Sequence, residues 1–295
     1  MTRSKGGKFM GKAEALKEHQ RSKLSQREKH TRFHPTEHII ELEGLDDSPE
    51  VYHRIEDWRT YVYKSSSKKP NLPTLNEYRD WGPEKRRAYD ESRLDYHARC
   101  SPIITETMIS IHRSLLAQID LNIRGGSGAR QGGVIDGLPT LGKTTILIEL
   151  GKRFEKDFRK RYPLKNPDQA DLLMPVVYIT LKKKTTPKTL DEAIANFYGI
   201  PLPRNLRNIT HNELTNAIER FARTHRTYLF LIDDIHMLGK KGRDADVNDH
   251  LKSLMSLIPA TFVFAGIDCK KSALFSDEIN NRKNPKWVVD LSLIA

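Results

Sequence analysis

The sequence predicts an α/β fold in which a parallel sheet is held between two layers of helices. Three observations carry that expectation. The stretch Gly137-Leu138-Pro139-Thr140-Leu141-Gly142-Lys143-Thr144 reads G-x-x-x-x-G-K-T. It stands between a short apolar run, Val134-Ile135, and a segment with Ile146, Leu147, Leu150, Phe154 and Phe158 near 3.6-residue spacing. Further apolar runs of strand length, 175–181 and 228–232, alternate with helical stripes downstream. The second of these runs ends in paired carboxylates, Asp233 and Asp234.

Taken in order, the 295 residues carry 50 Lys and Arg against 38 Asp and Glu, a formal net charge of +12. Mean hydropathy is −0.62. No run approaches the roughly 18 apolar residues of a membrane span, and Met1 to Gln20 lacks the apolar core of a signal peptide. These features predict a cytoplasmic protein with no membrane partner. Cys100 and Cys269 stand far apart without a C-x-x-C partner. Neither a cysteine zinc site nor a disulfide framework is indicated, and both read as packing residues.

The charge is unevenly spread. Met1 to Arg32 holds ten Lys and Arg against three Glu, leaving the rest of the chain only +5. Residues 1–35 have few apolar positions (Phe9, Met10, Leu16, Leu24) and read as a basic arm, disordered until bound, with nucleic acid as its expected partner. His34 and His38 are four apart, but Pro35 breaks the helix that would pair them, so a surface loop is expected there rather than a metal site. Residues 36–99 form an aromatic and basic extension with Tyr52, Trp58, Tyr61, Tyr63, Tyr78, Trp81, Tyr89 and Tyr96. Thr74 and Glu77 predict a capping box opening a short helix, and Gly82-Pro83 ends it and begins another. Two readings of this extension stand side by side: aromatics that stack on nucleic acid, or the core of a small helical subdomain.

Residues 100–270 hold the predicted core. Ser101-Pro102 reads as an N-cap with proline at the first helical position, followed by the stripe Met108, Ile111, Leu115 and Ile119. The glycine-rich stretch 124–133 precedes a strand instead of following one, so it reads as a loop and not as a dinucleotide fingerprint. The G-x-x-x-x-G-K-T motif itself reads as a phosphate-binding P-loop, whose expected ligand is a nucleoside triphosphate with Mg2+. The loop residues Gly137, Leu138, Pro139, Thr140, Leu141 and Gly142 wrap the phosphate oxygens, those other than Pro139 offering backbone N–H groups, most closely where glycine permits it. The positive end of the following helix adds to this, with Thr145 on its first turn. Lys143 reaches the β- and γ-phosphates, and the Thr144 hydroxyl ligates Mg2+.

Downstream, Thr189 with Glu192 and Thr210 with Glu213 predict two capping boxes. Asp233, at the end of a hydrophobic strand beside the P-loop, is the Walker B carboxylate that holds Mg2+ or its waters. Asp234 occupies the place where a water-activating Glu commonly stands, one methylene shorter, which predicts slow hydrolysis. A helix with Val247, Leu251, Leu254 and Ile258 precedes a strand over 261–267, and Asp268 at its end is a candidate γ-phosphate sensor.

With these motifs in this order, the chain resembles an AAA+ ATPase, and more closely the TniB/TnsC-like transposition regulators, relatives of MuB. The resemblance spans about Ser101 to Trp287. It rests on Leu229-Phe230-Leu231-Ile232-Asp233-Asp234-Ile235-His236, on Phe264-Ala265-Gly266-Ile267, and on the stretch through Arg282 to Trp287. It implies a three-layer P-loop NTPase core preceded by a basic, partly disordered and helical extension, with residues 271–295 starting a helical lid that is short or absent. It also implies an ATP-dependent oligomer, ring or filament, that assembles on duplex target DNA and recruits or activates a transposase. On this resemblance Arg282 is an arginine finger for a neighbouring subunit, and Lys182, Lys183 and Lys184 line a DNA path. Two other functions stand beside it: an ATP-bound DNA scaffold that hydrolyses poorly, and a P-loop regulator of another process, such as initiator loading or signalling.

Overall fold

Short runs of β-branched and aromatic residues build one five-stranded sheet: β1 (Gly133–Asp136), β2 (Val176–Thr180), β3 (Leu229–Asp233), β4 (Thr261–Gly266) and β5 (Val288–Asp290). The computed structural model describes residues 52–64, 69–98, 100–125, 130–201, 210–238, 243–269, 274–275 and 288–290. The basic arm, His34 and His38, Arg282 and Trp287 lie outside these residues. The strand order is β2-β3-β4-β1-β5, and each neighbouring pair is parallel. Every residue of β1, β3 and β4 is buried, which requires helices on both faces of the sheet. This is the three-layer α/β P-loop NTPase fold of the AAA+ type that the sequence predicts.

Among the described residues the α-helices are α1 (Ile55–Tyr63), α2 (Leu75–Asp80), α3 (Pro83–Ala98), α4 (Glu106–Arg124), α5 (Lys143–Arg161), α6 (Pro187–Tyr198), α7 (His211–Thr224) and α8 (Arg243–Leu257). Capping boxes at Thr74/Glu77 and Thr210/Glu213 stand where the sequence predicts them. Two starts differ. The helix expected from Pro102 begins at Glu106, because the Thr105 side chain accepts the Met108 N–H and Glu106 lies in the positively polarised first turn. The box expected at Thr189/Glu192 lies one turn earlier: Pro187 occupies the first helical position and Thr186 pairs with Thr189.

The aromatic extension divides. Ile55, Trp58 and Val62, spaced i, i+3, i+7 on α1, are buried in the same core as the sheet. Trp58 stacks on Tyr178 of β2 at 6.3 Å, and its indole N–H donates to Glu155 Oε2 of α5 at 2.6 Å. Glu155 is fully buried and its Oε1 also takes Arg159 Nε–H at 3.1 Å, so both oxygens are hydrogen-bonded and the charge is paired with one guanidinium. Tyr78, Trp81 and Tyr89 instead form a separate cluster on α2 and α3, with Lys85 4.3 Å over the Trp81 ring. Of the two cysteines, Cys269 packs in the core, whereas Cys100 is exposed, contrary to the packing role its residue type suggests.

α4 and α5 are joined by a buried side chain. The His112 Nε2–H donates to the Ile146 carbonyl on the first turns of α5 at 2.9 Å. Burial holds this imidazole below its ordinary range. A neutral folded imidazole and an unfolded one titrating near pH 6.5 mean that its stabilisation is full above about 6.5. It is lost as pH falls through the lower folded value. Thermal unfolding between pH 7 and pH 5 should therefore show a smaller fall in Tm for His112→Gln than for the parent; equal slopes would remove this residue from the acid response.

Gly151 marks where α5 touches both partners. A Cβ there would stand 2.6 Å from Leu231 Cδ1 and 2.8 Å from the Trp58 ring. The leucine methyl can swing aside, but the indole is held by Glu155 and Tyr178. Alanine gains up to about 1 kcal/mol of helix propensity, against an overpacking cost of about 1–3 kcal/mol. Gly151→Ala should therefore be destabilised by about 1 kcal/mol net in urea unfolding, with an unchanged m-value.

Candidate nucleotide site

Parallel strands put all their carboxyl ends at one edge, and β1 leaves that edge toward β2 while β4 leaves toward β5. The strand order reverses between β1 and β4, the place where open α/β sheets form a ligand crevice. Asp136, the last residue of β1 and only 5% exposed, ties the two strand ends together. Its Oδ1 accepts the Gly137 N–H at 2.9 Å and the Cys269 N–H, just past β4, at 3.1 Å. Motif reasoning passes over Asp136 because it stands before the first glycine; the available signal is a lone carboxylate closing an apolar run.

Gly137 is buried, and the loop emerges to solvent over residues 138–142. Thr140 and Gly142 take left-handed backbone, φ 68° and 77°, and Gly142 caps α5 in that conformation. The space around Gly142 is open, so the requirement there is conformational and not steric. Thr144 and Thr145 are exposed on the first turn of α5. The Lys143 ammonium folds back and donates to the Leu138 carbonyl at 2.6 Å.

Asp233 ends β3 and is 3% exposed. It accepts the Tyr178 hydroxyl at 3.1 Å and the Asp234 N–H at 2.8 Å. Asp233 is not directly beside the P-loop strand: β4 stands between β3 and β1, so the two motifs flank the end of β4. Asp234 has a left-handed backbone, φ 57°, and opens a 3-10 turn over Ile235–Met237. Its Oδ1 lies 3.9 Å from His236 Nδ1. Partial burial, then the neighbouring Asp233 charge, raise its pKa; His236 and Lys143 oppose that rise. Burial likewise pushes the Cys269 thiol up, with Lys143 again in opposition. One ammonium is thus felt at the ends of both β3 and β4.

Gly266 closes β4 against this turn. A Cβ there would meet Ile235 Cγ2 at 2.7 Å, Cys269 Sγ at 2.9 Å and the His236 nitrogen at 3.2 Å. Asp268 follows two residues after β4, with φ 52°. Lys182, Lys183 and Lys184 are exposed past β2, separated from β1 by β3 and β4. They line a surface cavity of about 690 Å³ shared with His53, Arg54 and Thr189. The geometry therefore gathers Gly137–Thr145, Asp233, Asp234 and Asp268 at one sheet edge around the end of β4. It leaves the three lysines at the far side of that edge.

Residues 127–269 match the family model described as an AAA domain. No curated protein matches the chain. Among solved structures, the Aeropyrum pernix ORC1 protein in complex with DNA aligns at 16% identity over 66% of this chain and 47% of that one, TM-score 0.45. The Aeropyrum pernix ORC2 protein in ADPNP and ADP complexes aligns at 17% identity over 57% and 43%, TM-score 0.43. AMPPCP-bound DnaA from Aquifex aeolicus aligns at 18% identity over 64% and 48%, TM-score 0.39. The alignments span less than half the length of each of these chains. The match over residues 127–269 falls on the P-loop NTPase fold described above, from before β1 to just past β4.

Proposed function

We propose that the chain binds and hydrolyses ATP, and that triphosphate occupancy controls its assembly on duplex DNA as a cytoplasmic regulator of transposition that recruits or activates a transposase. The observation that carries the nucleotide part is the placement of Gly137–Thr145 between β1 and α5, with Asp233 across β4 on the same sheet edge. In this reading loop N–H groups and the α5 dipole bind the phosphates, and Lys143 leaves the Leu138 carbonyl to pair with them. Thr144 and Asp233 are suited by donor type to Mg2+, a hard cation that takes oxygen ligands and neutralises phosphate charge. Asp234 orients water, Asp268 senses the γ-phosphate, and Arg282 acts on a neighbouring subunit's nucleotide. Lys182, Lys183, Lys184 and the basic arm contact DNA phosphates. The transposition part is supported by the resemblance to TniB/TnsC-like regulators.

The test is a gel shift on labelled duplex DNA, with negative-stain microscopy, under ATP, a non-hydrolysable analogue, ADP and no nucleotide. Rings or filaments on DNA should require the triphosphate, and Lys143→Ala should bind no ATP and form none while keeping a parental melting curve. DNA binding indifferent to nucleotide by a monomer would replace the transposition reading with a P-loop regulator of another process.

A second reading, a scaffold that turns over poorly, is favoured by Asp234: it is short, left-handed in backbone, and beside His236. Steady-state phosphate release separates the two. Asp234→Glu should match or exceed the parent, and Asp234→Asn should lose about 100-fold, the scale of general-base catalysis, and retain ATP in the assembly. Unchanged turnover in Asp234→Asn would assign water activation elsewhere.

A further inference from the structure

On the helical layer, three side chains from three helices converge. Asp191 of α6 is fully buried, His250 of α8 is 7% exposed at its side chain, and His211 is the first residue of α7. Their ligand-type atoms all lie within 4.8 Å of one another. Asp191 Oδ1 is 2.6 Å from His250 Nε2, and its Oδ2 accepts the Thr215 hydroxyl at 2.6 Å. Each carboxylate oxygen thus accepts one donor and keeps further acceptor capacity. His211 stands outside this hydrogen-bond network: its Nδ1 is buried and 3.1 Å from Oδ2, yet makes no hydrogen bond. A buried imidazole nitrogen without a hydrogen bond, beside a buried carboxylate and a second imidazole, is placed as a metal ligand would be.

We propose that Asp191, His211 and His250 bind a divalent transition metal of the zinc class, clipping α6, α7 and α8 together. Two imidazoles and one carboxylate suit Zn2+ and disfavour Ca2+ and Mg2+, which take oxygen ligands. Ligand atoms around a tetrahedral zinc sit roughly 3.3 Å apart, from bonds of about 2.0 Å. The ion enters by replacing the proton His250 shares with Asp191 and opening that contact by well under 1 Å. Thr215 remains on Oδ2, orienting the carboxylate from outside the ligand set. The partly exposed side of His211 leaves a fourth position to water. No short motif announces the site, since its members are scattered over residues 191, 211 and 250. The proposal does not depend on the nucleotide reading.

The experiment uses the full chain, free of any purification tag, stripped with a chelator and titrated with Co2+ and then Zn2+. One equivalent of Co2+ should give saturable visible d–d absorption that Zn2+ displaces, and Zn2+ should raise the Tm. The half-exposed His211→Gln variant, shown folded by near-UV circular dichroism, should bind at least about tenfold more weakly and lose the Tm rise. His250→Gln provides the same readout from α8. A His34→Gln/His38→Gln double variant should retain the full signal. Absence of saturable absorption, or undiminished binding in a folded His211→Gln protein, would overturn the proposal.

Discussion

The structure depends on one constraint: the central strands β1, β3 and β4 are buried on both faces along their whole length. A parallel strand in that position has no side on which a charged residue can meet water. Polar chemistry is therefore confined to strand ends and the loops leaving them. Parallel pairing then brings the ends of β1, β3 and β4 to one edge. Asp136, Asp233 and the loop after Gly266 are neighbours because burial excludes polar side chains from the strand interiors. The same constraint explains why Asp136 and Asp233, though deeply buried, each accept hydrogen bonds: Asp136 holds two backbone N–H groups, and Asp233 holds one N–H and a tyrosine hydroxyl.

The outer layers are fixed by a small number of specific contacts. His112 grips the first turns of α5 by a single bond to the Ile146 carbonyl. Trp58 reaches the middle of the same helix, adding an apolar ring against Gly151 and a hydrogen bond to Glu155. α5 is held from two sides by residues distant in sequence, which steadies the helix whose first turn carries Lys143 and Thr144. Rigid support of this kind is what a phosphate loop requires, since its backbone N–H groups must be aimed before a ligand arrives.

Much of the fold was legible in the sequence because the strands are unbroken apolar runs and the helices carry clear stripes and caps. The place of the G-K-T loop between β1 and α5 follows from such local patterns. What was not legible depends on long-range partners. α1 shows only three core positions in nine residues, and its partner Glu155 lies 97 residues away. β5 is three residues long, too short for any period to register. Thr105 displaced Ser101-Pro102 as a helix start because a proline at the first position permits a helix without requiring one, whereas an accepted N–H stabilises a particular start. The Asp191, His211 and His250 cluster is invisible to spacing, since three helices must pack before it exists. Residues at the carboxyl edge of the sheet such as Asp136 escaped notice for the opposite reason: a single carboxylate at a strand end is too common a pattern to single out.

The close approach at Gly266 interlocks two neighbouring turns. With the Ile235 methyl and the Cys269 sulfur filling the space a Cβ at Gly266 would take, and the His236 nitrogen just beyond, the turn that begins at Asp234 and the loop that leads to Asp268 are packed against each other. Cys269, meshed with Gly266 on one side and hydrogen-bonded to Asp136 on the other, extends the same packing to the root of the P-loop. The three strand ends therefore share one packed contact set, and close-packed interiors leave little free volume in which any one of them could shift alone.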